Sequence, residues 1–247
     1  MRLIFLGTGG YHPNERRHTA GLLAPDHGIA FDAGTGTFRL CDRLNGSQLD
    51  LFLSHAHLDH VCGLTYLLVP RLLGRLTRLT VHGRPQDLAA VRQHLFSEAL
   101  FPVLPEMELR PLEPEIEVGG GVIRHAPLVH PGGSVGFRFD GPTGSFAYVT
   151  DTYVDGSYTE FVRGVDLLIH ECYFSDSQDE WALKTGHSHT SQVARLAAEA
   201  GVGALCLTHI DPRAPGDDPV GLSQARKIFP RTTIAEDLDA VMLTPRK

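Results

Sequence analysis

Apolar residues along the chain fall in short runs broken by glycine, proline and histidine, a spacing that predicts many short strands and a few helices. Leu3 to Leu6 form an apolar run that stops at Gly7-Thr8-Gly9-Gly10 and reads as a buried strand. Residues 20–24 and 28–32 read as a strand pair around the turn-forming Pro25-Asp26, and 37–44 as a helix. Residues 49–54 form another buried strand, which runs straight into His55. From Asp59 the apolar positions Val61, Leu64, Leu67, Leu68 and Leu72 recur at helical spacing. A strand at 78–82 and a helix at 85–100, with Pro85 in its first turn, follow.

The second half repeats this style. Strands are expected at 107–112, 122–128, 135–139, 145–149 and 165–169, and a helix at 190–200, ended by Gly201. A strand at 204–208 delivers His209, and a helix at 221–228 and a strand at 240–243 complete the pattern. Two α+β halves whose sheets face each other beneath outer helices account for this order. The 247 residues suffice for a real core and read as a single domain, 1–247, with no linker, low-complexity segment or strict internal repeat.

Composition changes the picture little. Hydrophobic residues make up 42% and charged residues 21%, as in ordinary globular chains. No run approaches the roughly 18 apolar residues of a membrane span, and the N-terminal apolar run is too short for a signal peptide, so no membrane partner and a cytoplasmic location are expected. Cysteines 41, 62, 172 and 206 form no C-x-x-C pair and read as small apolar residues. A formal charge of −7 argues against a dedicated nucleic-acid binder. Arg71, Arg75, Arg78 and Arg84, in a stretch without acidic residues, read as either a solvated face or a phosphate-attracting patch.

The 14 histidines matter because of where they stand. His55-Ala56-His57-Leu58-Asp59-His60 places four ligand-type side chains after an apolar strand and before an amphipathic helix. Residues two apart on extended chain point the same way, so His55 and His57 can share one metal, while Asp59 and His60 can face a second. Imidazole and carboxylate suit zinc, and also manganese or iron. The remaining ligands should come from other strand ends, where His130, Asp151 and His209 each follow an apolar run. Gly132-Gly133-Ser134-Val135-Gly136 matches a nucleophile-elbow pattern, but a strand rather than a helix is expected after it, so Ser134 is not assigned as a nucleophile.

These motifs resemble the metallo-β-lactamase superfamily and, within it, the arm-less ribonuclease Z-like phosphodiesterase branch. The resemblance runs through Leu6-Gly7-Thr8-Gly9-Gly10 with Pro13 and Arg17, Phe31-Asp32-Ala33-Gly34-Thr35-Gly36-Thr37, the His55 to His60 motif with Gly63-Leu64, and Pro127-Leu128-Val129-His130. It continues through Ser134-Val135-Gly136-Phe137, Thr150-Asp151, His170-Glu171, Gly186-His187-Ser188 and Leu207-Thr208-His209. It implies a four-layer αβ/βα sandwich and two divalent metal ions, zinc first. His55, His57 and His130 would hold one metal, and Asp59, His60 and His209 the other. Asp151 would bridge them, and Asp32 would orient a ligand histidine.

The catalytic set implied is Asp59, His187 and Glu171. A metal-bridging hydroxide would attack phosphorus, and His187, held by Glu171, would protonate the leaving oxygen. His189 is a second candidate for that proton donor. A small phosphodiester, nucleotide-type or RNA-type substrate is expected, with hydrolysis of a thioester, lactone or lactam as the alternative, and tRNA 3′ processing or a redox or binding-only role behind both. Enzymes of the long-armed type carry a tRNA-gripping arm between the third and fourth motifs. Only 21 positions separate His130 from Asp151 here, so poor processing of tRNA 3′ ends is expected. A homodimer is compatible with the resemblance, although the sequence marks no interface.

Overall fold

The computed structural model describes residues 1–243. Fourteen strands are found among them: β1 Arg2–Gly7, β2 Gly21–Ala24, β3 Ile29–Phe31, β4 Gln48–Phe52, β5 Arg78–Gly83, β6 Glu108–Pro111, β7 Glu115–Val118, β8 Gly121–Leu128, β9 Ser134–Gly141, β10 Gly144–Val149, β11 Leu167–Glu171, β12 Ala204–Thr208, β13 Thr232–Ile234 and β14 Ala240–Met242. They form two seven-stranded sheets, in the orders β14-β1-β2-β3-β4-β5-β6 and β13-β12-β11-β10-β9-β8-β7. The α/β sandwich expected from the sequence is the one found.

Side-chain alternation builds its layers. On β1, Leu3 and Phe5 enter the core between the sheets, while Ile4 and Leu6 pack outward beneath helices. On β10, Phe146 and Tyr148 face inward, while Ala147 and Val149 face the outer layer that contains Val193, Leu196 and Ala197 of the Thr190–Glu199 helix. Aromatic rings dominate the central layer. Phe31 lies with its ring centroid 5.5–5.7 Å from those of Phe52, Phe137, Phe146 and Tyr148, drawn from both sheets.

Strand direction then gathers the chemistry. β3, β4 and β5 are parallel neighbours, as are β10, β11, β12 and β13. Parallel strands end on the same edge, where open α/β sheets bind ligands. Asp32, His55, Asp151, Glu171 and His209 stand at or just beyond the C-terminal ends of β3, β4, β10, β11 and β12.

Several elements differ from their expected form. The helix expected at 37–44 is a short 3-10 helix, Thr35–Arg39. The 59–72 helix is broken into Leu58–Val61, a 3-10 stretch Cys62–Leu67 and Leu68–Leu72. The Gly63 N–H leaves the helical ladder and donates to Ala33 O at 2.7 Å, and Pro70 has no N–H to give. The helix from Pro85 stays α-helical only to Ala90 and closes in a π turn, Val91–Leu95. Strands β7 and β13 and the helices Thr159–Val162 and Asp179–Thr185 have no counterpart in the sequence reading, being too short for a periodic signal.

All four cysteines are free, with Cys172 and Cys206 buried and Cys41 and Cys62 half-buried. Among the described residues no helix is long and apolar enough to cross a membrane.

Phe31 touches both sheets, so Phe31→Ala should destabilise the protein by about 3–5 kcal/mol. Urea unfolding should show a lower midpoint at unchanged slope. A loss well below 1 kcal/mol would mean that the sheets do not pack through this ring.

Candidate metal centre

Two sets of donor atoms lie side by side at the gathered strand ends. His55, His57, His130 and Asp151 each offer one atom within 4.8 Å of the others, and so do Asp59, His60 and His209. Asp151 joins the sets. Its Oδ1 lies 3.7 Å from Nε2 of both His55 and His130, and its Oδ2 lies 3.1 Å from His60 Nε2 and 3.3 Å from His209 Nε2. His130 Nε2 is 3.3 Å from His57 Nδ1, and His60 Nε2 is 3.3 Å from His209 Nε2.

In His55, His60 and His130 the opposite ring nitrogen is anchored, which aims these rings. His60 Nδ1 donates to Asp32 Oδ2 at 2.9 Å, and His130 Nδ1 donates to Gly186 O at 3.0 Å. Ser54 Oγ lies 3.0 Å from His55 Nδ1 and itself donates to Asp32. Asp32, fully buried, also accepts the Ser54 N–H at 2.8 Å and the Tyr148 hydroxyl at 3.1 Å across the two sheets. A carboxylate behind a metal-type histidine fixes its orientation and raises its basicity.

The backbone is bent to present these groups. Asp32, Asp151 and His209 have φ of 56°, 50° and 54°, a left-handed conformation that is uncommon without glycine. A close approach adds to this. A Cβ on Gly10 would come within 2.4 Å of the His209 ring, so only glycine lets the 7–10 loop lie against that imidazole.

The donor set fits cations. Among the described residues the buried His55 Nε2 has no hydrogen-bond partner. The ion pairs of Asp59 and Asp151 found among the described residues are all with histidines, never with lysine or arginine. Burial opposes a charge on His60, yet Asp151, Asp59 and Asp32 together raise its pKa well above the ordinary imidazole value. Burial, then the neighbouring His60, pushes His55 well below its ordinary value. Burial opposes ionisation of Asp59 and Asp151 as well, but the surrounding histidines hold both carboxyls well below the usual range. Positive charge is therefore favoured at His60, and the neutral imidazole at His55.

Glu171 and His187 stand beside this cluster. Glu171 is fully buried and accepts N–H groups from Thr152 at 2.7 Å, Ser188 at 3.1 Å and Tyr173 at 3.3 Å. It also accepts His187 Nδ1–H at 2.9 Å. Burial disfavours the His187 imidazolium, but Glu171, with Asp151 and Asp59, outweighs burial and raises its pKa to about 9. A donor atom of His187 lies within 4.8 Å of those of Asp151 and His209. His189 turns elsewhere, with its Nδ1 2.9 Å from Asp176 at the start of the Thr190–Glu199 helix. Ser134 is buried with its hydroxyl donating to the Asp151 main-chain O at 2.7 Å, so it braces the backbone that carries the central carboxylate.

His57, Asp59, His130, Asp151, His187 and His209 line one cavity of about 1160 Å³. Its wall includes Tyr11, Tyr173, Phe174, Trp181 and Arg213, none of which the sequence singled out. One signal was available: Trp181 is the only tryptophan in the chain.

The phosphate-attracting reading of the arginine stretch is not what the structure shows. Arg71, Arg75, Arg78 and Arg84 pair with Glu106, Asp42, Asp50 and Asp87, at 2.6–2.8 Å. These carboxylates come from elsewhere in the fold or, for Asp87, from the next helical turn. Arg84 also donates to Gly133 O at 2.7 Å and so steadies the loop after His130.

Comparison with known proteins agrees with this geometry. A family profile described as a beta-lactamase superfamily domain matches residues 27–210. Ribonuclease Z of Methanosarcina mazei is 30% identical, covering 96% of this chain and 96% of its own length. That alignment extends over 296 positions, at least 49 more than the 247 residues here, so the relative has segments without a counterpart in this chain. Among solved structures, the metallo-beta-lactamase fold protein YhfI from Bacillus subtilis superposes with a TM-score of 0.83 at 22% identity, covering 97% of this chain and 98% of its own. The short form of human tRNase Z superposes with a TM-score of 0.77 at 20% identity, covering 98% and 99%.

Asp32→Asn should weaken retention of divalent metal by about 10- to 100-fold, because the amide cannot orient His60 and Ser54 as the carboxylate does. Competition with a chromogenic chelator measures this, and wild-type affinity would remove Asp32 from the role of orienting the donor set.

Proposed function

Because the chain belongs to the metallo-β-lactamase superfamily, in its ribonuclease Z-like branch, we propose that it is a two-metal phosphodiesterase. His55, His57 and His130 would hold one divalent ion, and Asp59, His60 and His209 the other. Asp151 would be shared. Zinc suits this donor set best, with manganese and iron also compatible. The observation that carries the reading is the placement of Asp151, whose two oxygens face separate histidine groups. When bound, two such cations lower the pKa of water toward neutrality and offset charge on a phosphoryl oxygen.

The residues around the centre supply the rest. Asp59 is held as a carboxylate and fixed by the Tyr11 N–H at 2.8 Å, so it stays aimed at His60 and His209. His187 donates a proton to the departing ester oxygen. Glu171 keeps the imidazole oriented through Nδ1 and favours its protonated form. His189 is committed to Asp176, which favours His187 as the donor.

The substrate is a small phosphodiester rather than precursor tRNA. His130 and Asp151 are joined by β9 and β10 with only Pro142 and Thr143 between them, a tight hairpin in place of an arm.

Three outcomes test the reading. Protein purified without chelator should carry close to two equivalents of transition metal. It should cleave bis-p-nitrophenyl phosphate while processing precursor tRNA poorly. A value near zero after zinc and manganese are offered, or turnover of a thioester or lactam but no phosphodiester, would overturn it.

His187→Ala should lower turnover of a diester with a poor leaving group by about 10²–10⁴-fold and leave metal content intact. The loss should shrink for p-nitrophenolate, which departs without needing a proton. Loss of a metal would make His187 a ligand instead. An acid must be protonated to act, so kcat/KM on the poor leaving group should fall as pH rises through the folded pKa of His187. That pKa is about 9 before the opposing charge of bound cations lowers it. The His187→Ala profile should lack this alkaline limb.

A further inference from the structure

Trp181 has no structural task that explains it. It lies on the Asp179–Thr185 helix, whose buried side is Ala182, packed with Tyr173 and Phe174. Trp181 itself is 55% exposed, a large apolar area left in water. Its ring lines the same cavity as His57, His130, Asp151 and His187. Lys184 Nζ lies 4.8 Å from the ring centroid, which gives the ring a cationic neighbour.

The helix is locked to the metal centre by main-chain bonds. Its C-cap Gly186 accepts His130 Nδ1–H at 3.0 Å, and the His187 N–H donates to Ala182 O at 2.9 Å. The Thr185 hydroxyl donates to Trp181 O at 2.7 Å. Trp181 is thus held in fixed relation to a candidate ligand and to the proton donor. The arginine that lines the same wall is already paired. Arg213 is held by Asp211 through two contacts of 2.9 Å, so this wall offers a planar apolar face more than a seat for further phosphates.

We propose that Trp181 is a specificity-determining residue, a stacking platform for the planar base on one ester arm of a nucleoside phosphodiester. The inference rests on the phosphodiesterase reading and narrows its substrate class. Aromatic stacking tolerates any base, since each has a π face, so the platform selects for the presence of a base and not for its identity.

The test uses the metal-loaded protein and two diesters with the same leaving group, thymidine 5′-(p-nitrophenyl phosphate) and methyl p-nitrophenyl phosphate. Trp181→Ala should lower kcat/KM on the nucleoside diester roughly 10- to 100-fold, chiefly through KM, and leave the methyl diester unchanged. Trp181→Phe should keep most of the nucleoside activity. Equal losses on both diesters, or none on the nucleoside diester, would overturn the platform. Because Trp181 is the only tryptophan, intrinsic fluorescence gives a second readout that needs no turnover. Thymidine 5′-monophosphate should quench it and ribose 5-phosphate should not. If the wild type cleaved neither diester, the phosphodiesterase reading would fall. The platform would then be judged by fluorescence alone, where absence of base-dependent quenching overturns it.

Discussion

Three carboxylates, Asp32, Asp59 and Asp151, are crowded at the edge where the two sheets meet, and among the described residues their ion-pair partners are histidines, with no lysine or arginine. Burying unneutralised charge is costly, and a chain relieves it by protonation, by pairing or by taking a metal. Here the surrounding imidazoles hold the Asp59 and Asp151 carboxyls well below their usual range, and the same carboxylates raise the pKa of His60. Bound cations would satisfy the same field while leaving each imidazole neutral. Much of the surrounding architecture supports this one electrostatic constraint.

The support is visible in the backbone. Asp32, Asp151 and His209 take left-handed conformations at the ends of three strands, where regular geometry would carry the chain past the site. Such conformations persist when their surroundings over-determine them. Asp32 is tied to both sheets through Ser54 and Tyr148, Thr150 Oγ1 donates to Asp151 Oδ2 at 2.6 Å, and the Ile210 N–H donates to Thr8 O at 2.9 Å, next to His209. Glu171 shows the same logic beside the donor cluster. A fully buried anion is made tolerable by three backbone N–H groups and one imidazole.

The strand pattern was readable because β-strands with both faces buried leave dense apolar runs, and β1, β4, β10, β11 and β12 are all of that kind. Short amphipathic elements were not. β7 and the Asp179–Thr185 helix carry too few residues for a period to emerge, and the 59–72 helix is broken by a tertiary hydrogen bond at Gly63 that no local pattern reveals. The arginine stretch kept two readings for the same reason, since the carboxylates that pair with Arg71, Arg75 and Arg78 come from distant positions.

The sequence alone determined the donor types and their positions at strand ends, because the ligand-type residues of 55–60 follow directly from one strand and His130, Asp151 and His209 each follow another. It could not decide which oxygen of Asp151 faces which histidines, that His187 rather than His189 turns toward the centre, or that Trp181 shares their cavity. Those follow from parallel strand order and from hydrogen bonds between residues far apart in the chain. Such contacts depend on how the two sheets pack, and that packing exists only once the whole chain has folded.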